Sequence, residues 1–146
     1  QSDGTKAQVV IGRDARVTGE LCAELVAATL QAAGCDVLDI GLATTPTVAM
    51  GVLREKATGG IVLSASHNPA QWNALKLLGK DGEFLRAEEA REVIRIADMQ
   101  ERVTVAYDRI GTVTSPIIST RYQAPMGVAR RAHSWPCIVT RIWRKR

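Results

Sequence analysis

The segment Ser64-Ala65-Ser66-His67-Asn68-Pro69 gathers two hydroxyls, an imidazole and an amide, and its Asn-Pro step forces a turn. A positioned serine is a nucleophile and a nearby imidazole can shuttle its proton, so Ser66 and His67 are candidates for those roles. The alternative stays open, because Ser, Asn and Pro are ordinary turn formers and adjacent side chains diverge. Lys76 either faces the same site or is a solvated strand residue; spacing alone does not decide. A second group is the turn from Arg13 to Gly19, Arg13-Asp14-Ala15-Arg16-Val17-Thr18-Gly19. Two guanidinium groups ahead of a helix N-terminus suit an anion. Equally, Asp14 can pair with Arg16 or cap the turn.

These turns need elements to hold them. Gln8 to Gly12 is a short β-branched run of the kind buried in parallel sheets. A helix is expected over Gly19–Ala33, with Leu21, Leu25, Ala28 and Ala32 on one stripe and Gly34 as the stop. Asp36 to Gly41 alternates with period two and reads as a second strand. Thr45 before Pro46 reads as an N-cap followed by Pro at N1, opening a helix to about Lys56. Gly60 to Ser64 is a third strand, Ala74 to Leu78 a short fourth, and Lys80-Asp81-Gly82-Glu83 a tight turn. From Ala87 to about Gln100 a charged amphipathic helix is expected, with Ala90, Val93, Ile94 and Ala97 facing inward. Strand and helix alternate, so the fold class is α/β with a mainly parallel sheet and helices on both faces. In such sheets ligands bind beyond the carboxyl ends of the strands, where the loops at 13–18, 42–45 and 65–73 must lie.

The chain has 146 residues, the size of one domain, with 46% hydrophobic and 23% charged side chains, which argues against wholesale disorder. Its net charge of +4 invites an anionic polymer as partner, but the charge is uneven. Residues 1–108 carry 11 basic and all 15 acidic side chains, whereas residues 109–146 carry eight basic ones and no acid. Past Thr114 no period of 2 or 3.6 is sustained, and three prolines interrupt the run. The expected division is therefore a domain at 1–108 and a basic, aperiodic tail at 109–146. That break in composition fits a shifted reading frame or a non-native gene end. No apolar run is long enough to span a bilayer, and the first residues lack the pattern of a signal peptide. Cys22, Cys35 and Cys137 are at no metal-ligand spacing and read as reduced thiols of a cytoplasmic protein. No G-x-G-x-x-G or Walker A pattern supports a nucleotide binder.

Ser64-Ala65-Ser66-His67-Asn68-Pro69, followed by Trp72-Asn73-Ala74-Leu75-Lys76, resembles the signature loop of the α-D-phosphohexomutase family. Val10-Ile11-Gly12-Arg13-Asp14-Ala15-Arg16 with Thr18-Gly19-Glu20, and Gly41 with Thr44-Thr45-Pro46-Thr47, resemble that family's two preceding motifs, in the same order. The run from Gln71 to Leu78 is most similar to bacterial phosphoglucosamine mutases. The resemblance implies the three-layer α/β/α first domain of a four-domain enzyme, truncated at both ends. It implies that Ser66 carries a phosphoryl group that converts glucosamine 6-phosphate to glucosamine 1-phosphate through a bisphosphate. A phosphomannomutase or phosphoglucomutase of the same family is the alternative. His67 and Lys76 then assist proton transfer or stabilise charge, and Arg13, Arg16 and Asn68 bind substrate phosphate. Mg²⁺ is the implied cofactor, reached here only through a phosphate on Ser66, its other ligands lying outside this chain. The implied partners are a hexose or hexosamine phosphate and the enzyme's other domains, with no membrane and no nucleic acid. The isolated chain is expected to have negligible activity. The competing reading from another class is a non-catalytic module whose tail, with Arg130, Arg131, Arg141, Arg144, Lys145 and Arg146 around Trp135 and Trp143, binds nucleic acid or an anionic surface.

Overall fold

The structure is a computed structural model that describes residues 6–99 and 103–116. Its elements in chain order are β1 (Gln8–Arg13), α1 (Gly19–Ala32), β2 (Asp36–Leu42), α2 (Thr45–Glu55), β3 (Gly59–Leu63), β4 (Leu75–Leu78), α3 (Ala87–Met99), a single 3₁₀ turn (Tyr107–Arg109) and β5 (Val113–Thr114). They form one sheet in the order β4-β3-β1-β2-β5. The central strand β1 runs parallel to β2 and β3, β5 runs parallel to β2, and only β4 is antiparallel, against β3. The expected α/β class and mainly parallel sheet are what the chain adopts.

Alternation along the strands builds two cores. Val10, Leu38, Ile40 and Val62 turn to one face and pack with Val48 and Val52 of α2. Ile11, Val37 and Leu63 turn to the other and pack with Ala23 and Ala27 of α1. Two helices on opposite faces give the three layers. Val10, Ile11, Val48, Val52 and Leu63 are fully buried, each stabilising the fold by about 1.5–3 kcal/mol relative to exposure. Helix α2 lies close because glycines face it: a Cβ on Gly12 would stand 2.6 Å from Val48 Cγ2, and one on Gly60 would stand 2.7 Å from Val52 Cγ2.

Four sequence expectations are corrected. The inner face of α1 is Ala23 and Ala27 flanked by Cys22, Val26 and Leu30, whereas Leu21 and Leu25 are 58% and 62% exposed and Ala28 and Ala32 are exposed too. Small alanines let the helix sit close to the sheet, so the stripe with the larger residues is not the buried one. Along α3 only Ala90 is buried; Ile94 is half-buried, and Val93 and Ala97 are exposed. The N-cap of α2 is Thr44 rather than Thr45, its hydroxyl accepting the Thr47 N–H at 3.4 Å, and the helix closes on Lys56 in a left-handed conformation. Finally, the boundary expected at residue 108 falls inside the folded unit. Gly111 N–H donates to the Gln31 carbonyl, the Asp36 carboxylate accepts from the Thr112 amide and hydroxyl at 2.8 and 2.9 Å, and β5 joins the sheet beside β2. The basic residues expected to contact nucleic acid, from Arg130 to Arg146, lie outside the described residues. Among the described residues no helix is long and apolar enough to cross a membrane.

Candidate active site at the strand ends

Arg13 is paired with Leu42 on one side and Leu63 on the other, so β1, β2 and β3 end level with one another. A register shift between Ile11 and Arg13 marks this end of β1, the kind of irregularity that re-aims side chains at sheet rims. Two last backbone bonds finish the ladder there, Asp14 N–H donating to the Leu63 carbonyl and Ala43 N–H to the Arg13 carbonyl. Three loops consequently face one cleft of about 640 Å³, whose lining includes Arg13, Asp14, Thr44, Ser64, Ser66 and Lys76. This is the position at which open α/β sheets bind ligands, and the volume suits a sugar-sized molecule.

Ser66 sits at the tip of the third loop with φ +55°, one of two non-glycine residues in the left-handed region among the described ones. A β-carbon there costs about 1–2 kcal/mol, so surrounding contacts must enforce it. Several do. Ser66 N–H donates to Ser64 Oγ at 3.2 Å, and both the backbone N–H and the side-chain amide of Asn68 donate to the Ala65 carbonyl, at 3.1 and 2.9 Å. Asn73 reaches Thr18 at the head of α1 at 3.4 Å. The result presents the Ser66 side chain to solvent at the cleft, with its Oγ 3.1 Å from His67 Nδ1. The two neighbours do not diverge here, because the left-handed turn folds them toward each other.

Arg16 directs its guanidinium at this loop. Nη2 donates to the carbonyls of Ser66 and Asn68 at 2.7 and 3.0 Å, and Nη1 to those of Pro69 and Trp72 at 2.7 and 2.9 Å. Its Nε donates to Asp14 Oδ2 at 3.1 Å, and its backbone N–H to Asp14 Oδ1 at 3.1 Å. Partial burial raises the Asp14 pKa, but hydrogen bonds from the Ser64 hydroxyl and from Arg16, together with the Arg16 charge, outweigh it and hold the carboxyl below its ordinary value. Asp14 therefore does pair with Arg16 and cap the turn, and Arg16 points at backbone oxygens instead of an empty anion site.

The cleft is left with positive charge. Lys76 lies opposite Val62 in the β3–β4 register, on the sheet face shared with α2, and is half-buried with no ion pair among the described residues. Arg13 donates from Nη1 to the Asp14 carbonyl at 3.5 Å and approaches Glu20, whose side chain is 76% exposed, at 3.7 Å, a pairing worth little in water. With Asp14 neutralised by Arg16, Lys76 and Arg13 are the charges a ligand would meet, and both attract an anion. No group of three or more His, Cys, Asp or Glu side chains among the described residues could hold a metal ion. The one carboxylate lining the cleft, Asp14, is already engaged. The described residues therefore do not fit a magnesium site of their own.

Of the site residues expected from sequence, Ser66, Lys76 and Arg13 line the cleft together and His67 adjoins Ser66. Asn68 closes the loop through Ala65, and Arg16 underpins it. Ser64 and Thr44, not singled out by spacing, also line the cleft. The strand-end position of Ser64 was the available signal for its place.

The fold and cleft define a class of α/β/α domain that carries a strained serine loop and two cationic side chains, Arg13 and Lys76, at its strand ends. Similarity to known proteins narrows the class. Residues 1–104 match the family described as phosphoglucomutase/phosphomannomutase, alpha/beta/alpha domain I, and the chain belongs to that family. It is 37% identical over 108 residues to a probable phosphoglucosamine mutase of Methanosphaera stadtmanae, covering 74% of this chain and 24% of that protein. It is 35% identical over 114 residues to a phosphoglucomutase/phosphomannomutase of Thermococcus kodakarensis, covering 78% of this chain and 25% of that one. The solved structure of a putative phosphomannomutase from Thermus thermophilus superposes with a TM-score of 0.63 at 28% identity, covering 76% of this chain and 24% of that one. The chain thus spans about a quarter of the length of the curated relatives it matches.

Proposed function

We propose that Ser66 is the phosphoryl-carrying serine of a phosphosugar mutase that interconverts glucosamine 6-phosphate and glucosamine 1-phosphate. The observation that carries this reading is the Ser66 loop itself: a serine held at φ +55°, its Oγ 3.1 Å from His67 Nδ1, in a cleft lined by Lys76 and Arg13. Backbone strain of this kind persists only where surrounding structure enforces it, and it concentrates at functional sites.

The chemistry balances in two transfers. In the first, the Oγ–P bond of phosphoserine breaks while an oxygen of the sugar's free hydroxyl bonds to phosphorus. That hydroxyl loses its proton and Ser66 Oγ gains one, which leaves a hexosamine 1,6-bisphosphate. In the second, the bond from phosphorus to the other sugar oxygen breaks, Oγ–P re-forms, and the Oγ proton passes to the sugar oxygen. His67 Nδ1 stands where that proton can be held. Lys76 and Arg13 offset charge on the transferring group, the largest requirement of phosphoryl transfer. The magnesium that the resemblance implies has no site of its own among the described residues.

The sugar rests on relatives. A probable phosphoglucosamine mutase of Methanosphaera stadtmanae and a phosphoglucosamine mutase of Limosilactobacillus fermentum are 37% and 36% identical to the matched regions of this chain. The Thermococcus kodakarensis relative favours a second reading with the same chemistry on glucose or mannose phosphates. Incubating the chain with each hexose 1,6-bisphosphate and locating the acquired phosphoryl group by tandem mass spectrometry tests both. The proposal expects it on Ser66, fastest from the glucosamine compound.

A further inference from the structure

We infer that Arg16 is the positioning residue of the serine loop, fixing where Ser66 Oγ stands without itself binding phosphate. This rests on the reading of Ser66 as the phosphoryl carrier, but its evidence is independent of that reading. The guanidinium has five N–H donors in a rigid planar fork. Here Nε goes to Asp14 and the two terminal nitrogens go to four loop carbonyls, at residues 66, 68, 69 and 72. No donor is left for a ligand. The side chain is only 11% exposed, so a phosphate would have to displace loop carbonyls to reach it.

The arrangement explains how the loop tolerates Ser66. Four carbonyls converging on one point repel one another and require a shared cation between them. The guanidinium supplies that charge from a different segment of chain, and Asp14 holds it in the required orientation by accepting from both its Nε and its backbone N–H. Loss of the fork frees the carbonyls of Ser66 and Asn68, the residues on either side of His67, and releases the φ of Ser66 toward ordinary values. Lysine cannot substitute, because one ammonium has three donors on a flexible stem and no planar fork.

Three forms of the 146-residue chain test this: the parent, Arg16→Lys and Arg16→Gln, with Val52→Ala as a control for general destabilisation. Amide hydrogen exchange is read across the chain, and phosphorylation of Ser66 by hexosamine 1,6-bisphosphate is followed as a function of bisphosphate concentration. Both Arg16 variants should raise exchange at residues 66–72 at least tenfold while β1 and β3 stay within twofold of the parent. Val52→Ala should instead raise exchange across the sheet. Phosphorylation should fall at least tenfold in maximal rate with a half-saturating concentration unchanged within twofold. A half-saturating concentration that rises at constant maximal rate would make Arg16 a phosphate ligand and overturn the inference. Unchanged loop exchange, or full function in Arg16→Lys, would overturn it as well. If the parent takes up no phosphoryl group, the reading of Ser66 fails, and loop exchange still decides the role of Arg16.

Discussion

The Asp14 carboxylate grips Arg16 at two points, one oxygen accepting its backbone N–H and the other its Nε, each at 3.1 Å. Through Arg16 that grip extends to the carbonyl of Ser66, fifty residues further along the chain. A single ionised carboxylate thus anchors the loop on which the proposed chemistry depends.

The first prediction is a pH dependence. Asp14 is held below the ordinary carboxyl value of 3.8 in the folded chain, so its stabilisation is complete above that value and disappears as pH falls through the folded one. Asp36, whose carboxyl is lowered mainly by the Thr112 amide and then its hydroxyl, adds to the same trend. The thermal midpoint should fall as pH drops from about 5 toward about 2. Asp14→Asn should lower the midpoint at neutral pH and flatten that acid slope, and Asp36→Asn should flatten it further. An equally steep acid slope in the double variant would contradict the assignment.

The second concerns backbone strain. Glycine adopts φ +55° without the penalty a β-carbon brings, so Ser66→Gly should be more stable than Ser66→Ala by about 1 kcal/mol. Urea denaturation of the two variants measures it directly. Equal stabilities would mean that the loop relaxes out of the left-handed region once the hydroxyl is gone.

A third follows from the close approach of α2. Gly12→Ala places a carbon 2.6 Å from Val48 Cγ2 and should destabilise the domain by about 1–3 kcal/mol, the usual range for overpacking. Pairing it with Val48→Ala should recover part of the loss. In a double-mutant cycle, strict additivity of the two changes would show that the contact is not the cause.

Charge at the cleft gives the fourth. Lys76→Met removes a half-buried ammonium that has no acidic partner among the described residues. Phosphorylation of Ser66 by a hexose bisphosphate should slow by about 10²-fold, as for loss of one preorganised electrostatic contact in a transfer reaction. Folding should be little affected, which circular dichroism and the thermal midpoint would register.

Much of this architecture was legible in the sequence, for definite reasons. β1, β2 and β3 announced themselves as β-branched or alternating runs bounded by glycine, and with intervening helices they fixed the parallel sheet and the cleft at its carboxyl end. The face of α1 was misread because Leu21 and Leu25 outweigh Ala23 and Ala27 on any hydropathy scale. Contact with a flat sheet selects small size instead. β5 was invisible because a two-residue strand has no period, and what places it is the Asp36–Thr112 bond across the chain. For Arg16 the sequence leaves two partners open, an anion or Asp14, and the fold adds the loop carbonyls that it meets. Composition says that a guanidinium seeks oxygen anions or carbonyls, and only the fold says which lie within reach. Ser66 and His67 needed the left-handed turn to become hydrogen-bonded neighbours, a geometry no spacing rule supplies.

The most direct test of the central claim is the site and extent of phosphoryl transfer from glucosamine 1,6-bisphosphate to the 146-residue chain. It is read by tandem mass spectrometry beside a coupled assay of glucosamine 6-phosphate turnover. The expected result is one phosphoryl group on Ser66, none on Ser64 and none in Ser66→Ala. Net mutase turnover should be negligible, because the chain corresponds to about a quarter of its relatives. A chain that stays unmodified, or that is modified at Ser64 with Ser66 untouched, would contradict the account.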